Sequence, residues 1–155
     1  MPLNPKDFEE HFKKEWLKSF PEGDIIRLYD VTSGYLNISN VSDFIGYEYP
    51  NMFYLECKTH KGASIPFTNI PQYDKLLKKA GIKGIRAGVV LYLYEKFKVL
   101  YIPVKTIEQM KKDGKKSVGL KAIEEGYRII DIPSTKLRVY MNSDYSVLKD
   151  LEEGD

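Results

Sequence analysis

The stretch DFIGYEYPNMFYLECK, residues 43–58, decides how this chain folds. Alternate side chains of a β-strand share a face, so along Phe53–Thr59 the side chains of Glu56 and Lys58 point one way and those of Leu55 and Cys57 the other. Pro50-Asn51 reads as a turn. If the segment Val41–Tyr47 pairs back across that turn, the Asp43 carboxylate comes to lie beside that of Glu56. Two carboxylates held so close repel one another, and a divalent cation relieves the repulsion. With no histidine or thiolate placed to ligate, oxygen donors favour Mg2+, with Mn2+ as a substitute. Lys58 then stands where it can touch a scissile phosphate or orient and deprotonate an attacking water. The spacing alone is unspecific, because Glu-x-Lys is common on solvated strand faces and an aspartate 13 residues upstream arises easily by chance.

The surroundings narrow the reading. Upstream, Asn4-Pro5-Lys6-Asp7 places an N-cap residue, a first-turn proline and an acid at the start of a helix that runs towards Lys18, closed by Pro21 and Gly23. Phe8, Phe12 and Trp16 form its buried stripe, and Glu9 falls at the edge of that stripe, turned towards the interior. Ile25–Val31, Val41–Tyr47 and Phe53–Thr59 are short, aromatic and branched, and read as an antiparallel meander. Downstream, Pro71–Ala80 is an amphipathic helix with Lys75, Lys78 and Lys79 on its polar face and Gly81 as its stop. The run AGVVLYLY within Gly84–Tyr94 suits a central strand covered on both faces, with Lys98–Pro103 as its partner. Helices at Lys105–Lys112 and Val118–Glu125, a strand at Tyr127–Ile132 and a fraying tail over residues 150–155 complete the expected order. The fold expected is a single α/β (α+β) domain spanning residues 1–155, with a mixed central sheet flanked by helices.

Composition sets the outer bounds. At 155 residues and 43% hydrophobic, the chain can bury one core. Charges run through the opening residues MPLNPKDFEEHFKKEWLKSF, and no stretch approaches the roughly 20 apolar residues of a membrane span, so a soluble cytoplasmic protein with no membrane association is expected. A single cysteine and two histidines leave no zinc-like cluster. Net charge is only +2, yet Lys58–Lys121 holds 15 Lys and Arg against four acids, which makes this stretch +11 and the remainder, with nine bases and 18 acids, −9. Such a division suits one face built for a polyanion.

At these residues the chain resembles the RecU-type Holliday-junction resolvases, members of the PD-(D/E)XK nuclease superfamily with its restriction-endonuclease-like core. Phe8-Glu9 is similar to that family's N-terminal Phe-Glu, and Asp43 with Gly46-Tyr47 to its Asp-Tyr-Asn-Gly. Leu55-Glu56-Cys57-Lys58-Thr59 resembles its Phe-Glu-Ala-Lys segment, and Ser64–Ile70 its Ser-Phe-Pro-Leu-x-Asn-Phe. Gly114-Lys115-Lys116-Ser117-Val118 resembles its Gly-Arg-Lys-Ser-Ile. The resemblance implies a homodimeric, Mg2+-dependent endonuclease that resolves four-way DNA junctions in recombination and repair, with Asp43, Glu56 and Lys58 catalytic and Glu9 completing the acidic cluster. The metal would be held by Asp43, Glu56 and the Cys57 carbonyl, in a bacterial cell or a phage-infected host. Two departures bear on the substrate. Only Thr32–Ser42 separates Val31 from Asp43, where the family inserts a long stalk, and the family's His-x-His-Gln is replaced by Pro71-Gln72-Tyr73-Asp74. Two alternatives stay open, a nuclease of flaps or forks and a DNA-binding recombination partner that has lost catalysis.

Further DNA-contacting candidates are Arg27, Gln72 at a helix start, the row Lys75, Lys78 and Lys79, and Lys115, Lys116 and Ser117 before an expected helix N-terminus. Arg27 is equally placed to pair with an acid such as Asp30. Cys57 reads as a small core residue, and His60 as a loop histidine or a DNA or metal contact.

Overall fold

The computed structural model describes residues 4–29, 31–33, 36–38, 40–151 and 155, with 31–33 and 36–38 described by their backbone alone. The chain opens with α1 (Pro5–Ser19) and continues through β1 (Asp24–Arg27), β2 (Val31–Ser33), β3 (Leu36–Ile38), β4 (Phe44–Glu48), β5 (Asn51–His60) and β6 (Ser64–Pro66). A short 3-10 turn leads into α2 (Tyr73–Ala80), then β7 (Ile85–Leu93), β8 (Lys98–Pro103), α3 (Val104–Lys112), β9 (Ser117–Gly119) and α4 (Leu120–Glu124). The end is built from β10 (Ile130–Asp131), β11 (Ser134–Lys136), β12 (Met141–Ser143) and a 3-10 segment, Tyr145–Asp150.

α1 starts as its sequence dictates: the Asn4 side chain accepts from Lys6 N at 3.0 Å, Pro5 occupies the first turn, and Phe8, Phe12 and Trp16 are buried. The main sheet has the order β1-β4-β5-β7-β8-β10. β1, β4 and β5 form the expected antiparallel meander, with Phe44 opposite Leu55. β5 and β7 are parallel, so the chain must cross over between them, and α2 lies on that crossover. β8 and β10 add antiparallel strands, which makes the sheet mixed.

Strand alternation divides the apolar residues into two cores, one on each face of the sheet. Phe53, Leu55 and Cys57 of β5, with Val90, Tyr92, Val99 and Tyr101, pack towards α1 and the C-terminal segment. Val89, Leu91, Leu93, Leu100 and Ile102 pack towards α2, α3 and α4. Trp16 is fully buried against the rings of Phe12, Phe20, Phe53 and Tyr145, and its Nε1 donates to Asp24 O at 3.0 Å. Each such ring pair adds about 1 kcal/mol beyond the burial itself. The indole also explains Gly46, where a Cβ would stand 2.7 Å from Trp16 Cζ2.

Several elements depart from the sequence reading. Val118 does not begin a helix: Ser117–Gly119 is a strand paired with Ser64–Pro66, and the helix starts at Leu120. The two backbones come so close that a Cβ on Gly119 would lie 1.9 Å from Ala63 O, so strand pairing overrides the helical pattern. The expected strand Tyr127–Ile132 shrinks to Ile130–Asp131. Val31 belongs to a separate two-stranded ladder, opposite Ile38, rather than to β1. Where fraying was expected, Leu151 is buried and its carbonyl accepts from Arg86 Nη2 at 3.0 Å, and Asp155 is held by Arg128; Glu152, Glu153 and Gly154 lie outside the described residues. No helix among the described residues is long and apolar enough to cross a membrane.

Candidate active site

The ladder between β4 and β5 stops at the pair Phe44–Leu55, one residue short of Asp43 and Glu56. Past that point β5 continues on its other side against β7, with Glu56 opposite Val89, so the β4 side of β5 carries unclaimed main-chain groups. Asp43 takes one of them: Cys57 N donates to Asp43 Oδ2 at 2.9 Å. Asp43 N in turn donates to Glu56 Oε1 at 3.1 Å, which ties the two acids to each other through main chain. The N–H and C=O of one residue in an extended strand point to the same side, so the Cys57 carbonyl turns towards Asp43 as well.

Glu56 is only 1% exposed, and Lys58, two residues on and on the same face, brings Nζ to 3.7 Å from Glu56 Oε2. Burial, reinforced by the neighbouring Asp43, pushes the Glu56 carboxyl up to about 9, with Lys58 opposing the rise. Glu9 reaches Asp43 from α1. Its carboxyl is raised by burial and then by Asp43, while Arg27 counteracts both. Arg27 Nη1 is ion-paired with Glu9 Oε2, though without hydrogen-bond alignment at that nitrogen, and its guanidinium lies over the rings of Tyr29 and Phe44. The partner of Arg27 is therefore Glu9; Asp30 lies outside the described residues. Burial pushes the Cys57 thiol well up, in keeping with its place in the core.

Among the described residues no three His, Cys, Asp or Glu side chains are gathered closely enough to hold a metal ion. The donor chemistry nonetheless fits a hard dication. Two carboxylates and a strand carbonyl supply oxygen alone, and a buried Glu56 whose carboxyl keeps its proton past neutrality is what a divalent charge beside it would reverse.

The structure gathers Glu9, Arg27, Asp43, Glu56, the Cys57 main chain and Lys58, and it holds the other candidates apart. α2 returns the chain from the far end of β5 to the start of β7, so it runs against β5. Lys79 consequently lies 5.7 Å from the centre of the Tyr54 ring, and Lys75 and Gln72 stand further along, towards the Lys58 end. Gln72 is the residue before α2, with Oε1 buried and lacking a hydrogen-bond partner. Lys78 is exposed. Lys115 is paired with Glu125 at 2.6 Å, a contact that lowers the Glu125 carboxyl. Lys116 and Ser117 lead into β9, not into a helix N-terminus, which removes the helix-end rationale for a phosphate there. His60 contacts the Lys61 carbonyl at 2.6 Å, as a loop histidine would. Sequence reasoning missed the Glu9–Arg27 pair, which joins α1 to β1, because nothing local links positions so far apart.

No family model matches the chain, and no curated protein matches it in sequence. Among solved structures, the chain is similar to Hjc, a Holliday junction resolvase of the archaeal hyperthermophile Archaeoglobus fulgidus, at 18% identity and a TM-score of 0.57, over 79% of this chain and 94% of that one. That likeness, with the mixed sheet and its flanking helices, shows a restriction-endonuclease-like fold.

Proposed function

We propose that this chain is a Mg2+-dependent endonuclease of branched DNA, related to the RecU-type resolvases, which cuts four-way junctions as a homodimer in the cytoplasm during recombination and repair. The observation that carries the reading is the mutual tie between Asp43 and Glu56 beside Lys58, at the point where β4 leaves β5. The similar fold of a resolvase supports it.

Asp43, Glu56 and the Cys57 carbonyl would hold the metal, which supplies a lowered water pKa and stabilisation of the departing oxyanion. Lys58 would set its ammonium against the charge that builds on the phosphate in the transition state, a role that removal of one such group reduces by roughly 100- to 1,000-fold. Glu9, paired with Arg27, adds a carboxyl beside Asp43 from α1 and would complete the acidic cluster. Lys75, Lys78 and Lys79 of α2, with Gln72 at its start, offer phosphate contacts on the same side of the sheet.

Cleavage of four-way junctions, flaps, forks and nicked duplex in Mg2+ tests this directly, with Asp43→Asn and Lys58→Met beside the wild type. Junction cutting that both variants lose while still binding DNA is the expected result. Wild-type activity in either variant refutes the mechanism. Preferential cutting of flaps or forks changes the substrate, and DNA binding without any cleavage makes the chain a binding partner.

A further inference from the structure

At the opposite end of β5 from Lys58, the sheet carries a cavity of about 500 Å3, lined by Lys83, Arg86 and Lys105, by Pro50-Asn51, and by the glycine-bounded turn after α2. No acid is among its lining residues. Asp155, which lines a smaller neighbouring hollow with Arg86 and Lys105, is held by Arg128 through Nε and Nη2 at 3.1 and 3.0 Å. Arg86 pairs in register with Phe53, on the face of the sheet that packs towards α1, and its guanidinium donates to the Leu151 carbonyl there, so the cations offered to the cavity are Lys83 and Lys105, both at exposed positions. The end of α2 turns its carbonyl dipole towards this place, which disfavours an anion, but that partial charge of about half a unit is outweighed by two full cations.

The cavity lies on the α2 face of the sheet, the face that also carries Glu56 and Lys58. From Glu56 back to Asn51 is five residues of strand, about 17 Å. Lys79 lies along that interval, over Tyr54.

We infer that this cavity is a second phosphate site, which grips the DNA backbone about 17 Å from the bond to be cut. At about 3.4 Å of duplex axis per phosphate on each strand, the held phosphate is about five nucleotides from the scissile one. The inference deepens the nuclease reading and rests on it. Lys83 and Lys105 thereby become anchors of the arm that leaves the active site along α2.

The test is equilibrium binding of a fluorescent 20-base-pair duplex in EDTA, across 0.05–0.2 M salt, for the wild type, Lys83→Ala/Lys105→Ala and Lys14→Ala/Lys18→Ala. The last pair is exposed on α1, against the other face of the sheet. Each lost phosphate contact flattens the plot of log K against log salt by about 0.9 and weakens binding about fivefold at 0.15 M. The cavity pair, which together hold one phosphate, should therefore lose about fivefold in affinity and about 0.9 in slope, while the α1 pair keeps the wild-type slope. Wild-type affinity and slope in the cavity pair, or an equal loss in the α1 pair, overturns the site and leaves the nuclease reading intact. A wild-type chain that binds no DNA removes both.

Discussion

Replacing Glu56 by glutamine tests the electrostatics of the site without any DNA. The amide has the shape of the protonated carboxyl, its oxygen can still accept from Asp43 N, and its NH2 can face the Asp43 carboxylate. In the metal-free fold the Glu56 carboxyl titrates near 9, against an ordinary value of 4.5, because it is buried next to Asp43. The folded-state value lies above the unfolded one, so the stabilisation carried by this group is complete below pH 4.5 and is lost as pH rises towards 9. Each pH unit in that window is about 1.4 kcal/mol, so at pH 7 the wild type stands about 3 kcal/mol below a glutamine variant that never ionises. For a chain of this length that is roughly 10 °C in Tm. Urea or thermal unfolding in EDTA at pH 5, 6, 7 and 8 reads the difference directly. The two proteins should be nearly equal at pH 5 and diverge upward, with Glu56→Gln the more stable. Mg2+ or Mn2+ should then raise the wild type and scarcely move the variant. Parallel stability curves from pH 5 to 8 would refute the placement of a protonated carboxyl at this position.

Two further outcomes follow from the packing around the site. Arg27→Ala leaves the Glu9 carboxylate beside Asp43 without its counter-charge and removes a guanidinium stacked on Phe44 and Tyr29; a loss of about 2 kcal/mol in urea unfolding is expected, with Arg27→Lys restoring less than half. Gly119→Ala drives a Cβ into Ala63 O, so the β6–β9 ladder should part, and amide exchange across Ser64–Pro66 should accelerate while the main sheet stays protected.

α1 and its buried stripe, the meander and the central strand within Gly84–Tyr94 were legible because each rests on local information: an N-cap followed by proline, a four-residue repeat of rings, alternation across a short turn, an unbroken apolar run. Asp43, Glu56 and Lys58 were readable on the same terms, since two-residue alternation alone sets Glu56 and Lys58 on one face. The charge excess of the stretch from Lys58 to Lys121 was legible as well, and with it the expectation of a polyanion-facing region. Its cations were assigned helix by helix, however, which left out Lys83 and Lys105, drawn from a turn and a helix start.

What tertiary structure alone decided are the contacts between segments far apart in sequence. Ser117–Gly119 carries a helix-like pattern, yet becomes a strand because Ser64–Pro66 lies alongside it. Residues 133–151 show little periodicity, yet bury Tyr145 and Leu148 against α1, because the face left open by Phe8, Phe12 and Trp16 had to be covered. Arg27 found Glu9 rather than a neighbour along the chain. The acidic pair shows the division most clearly. Sequence placed two carboxylates within reach of one another, and the fold made one of them hold its proton, because burial and proximity are properties of the packed molecule and not of the spacing between residues.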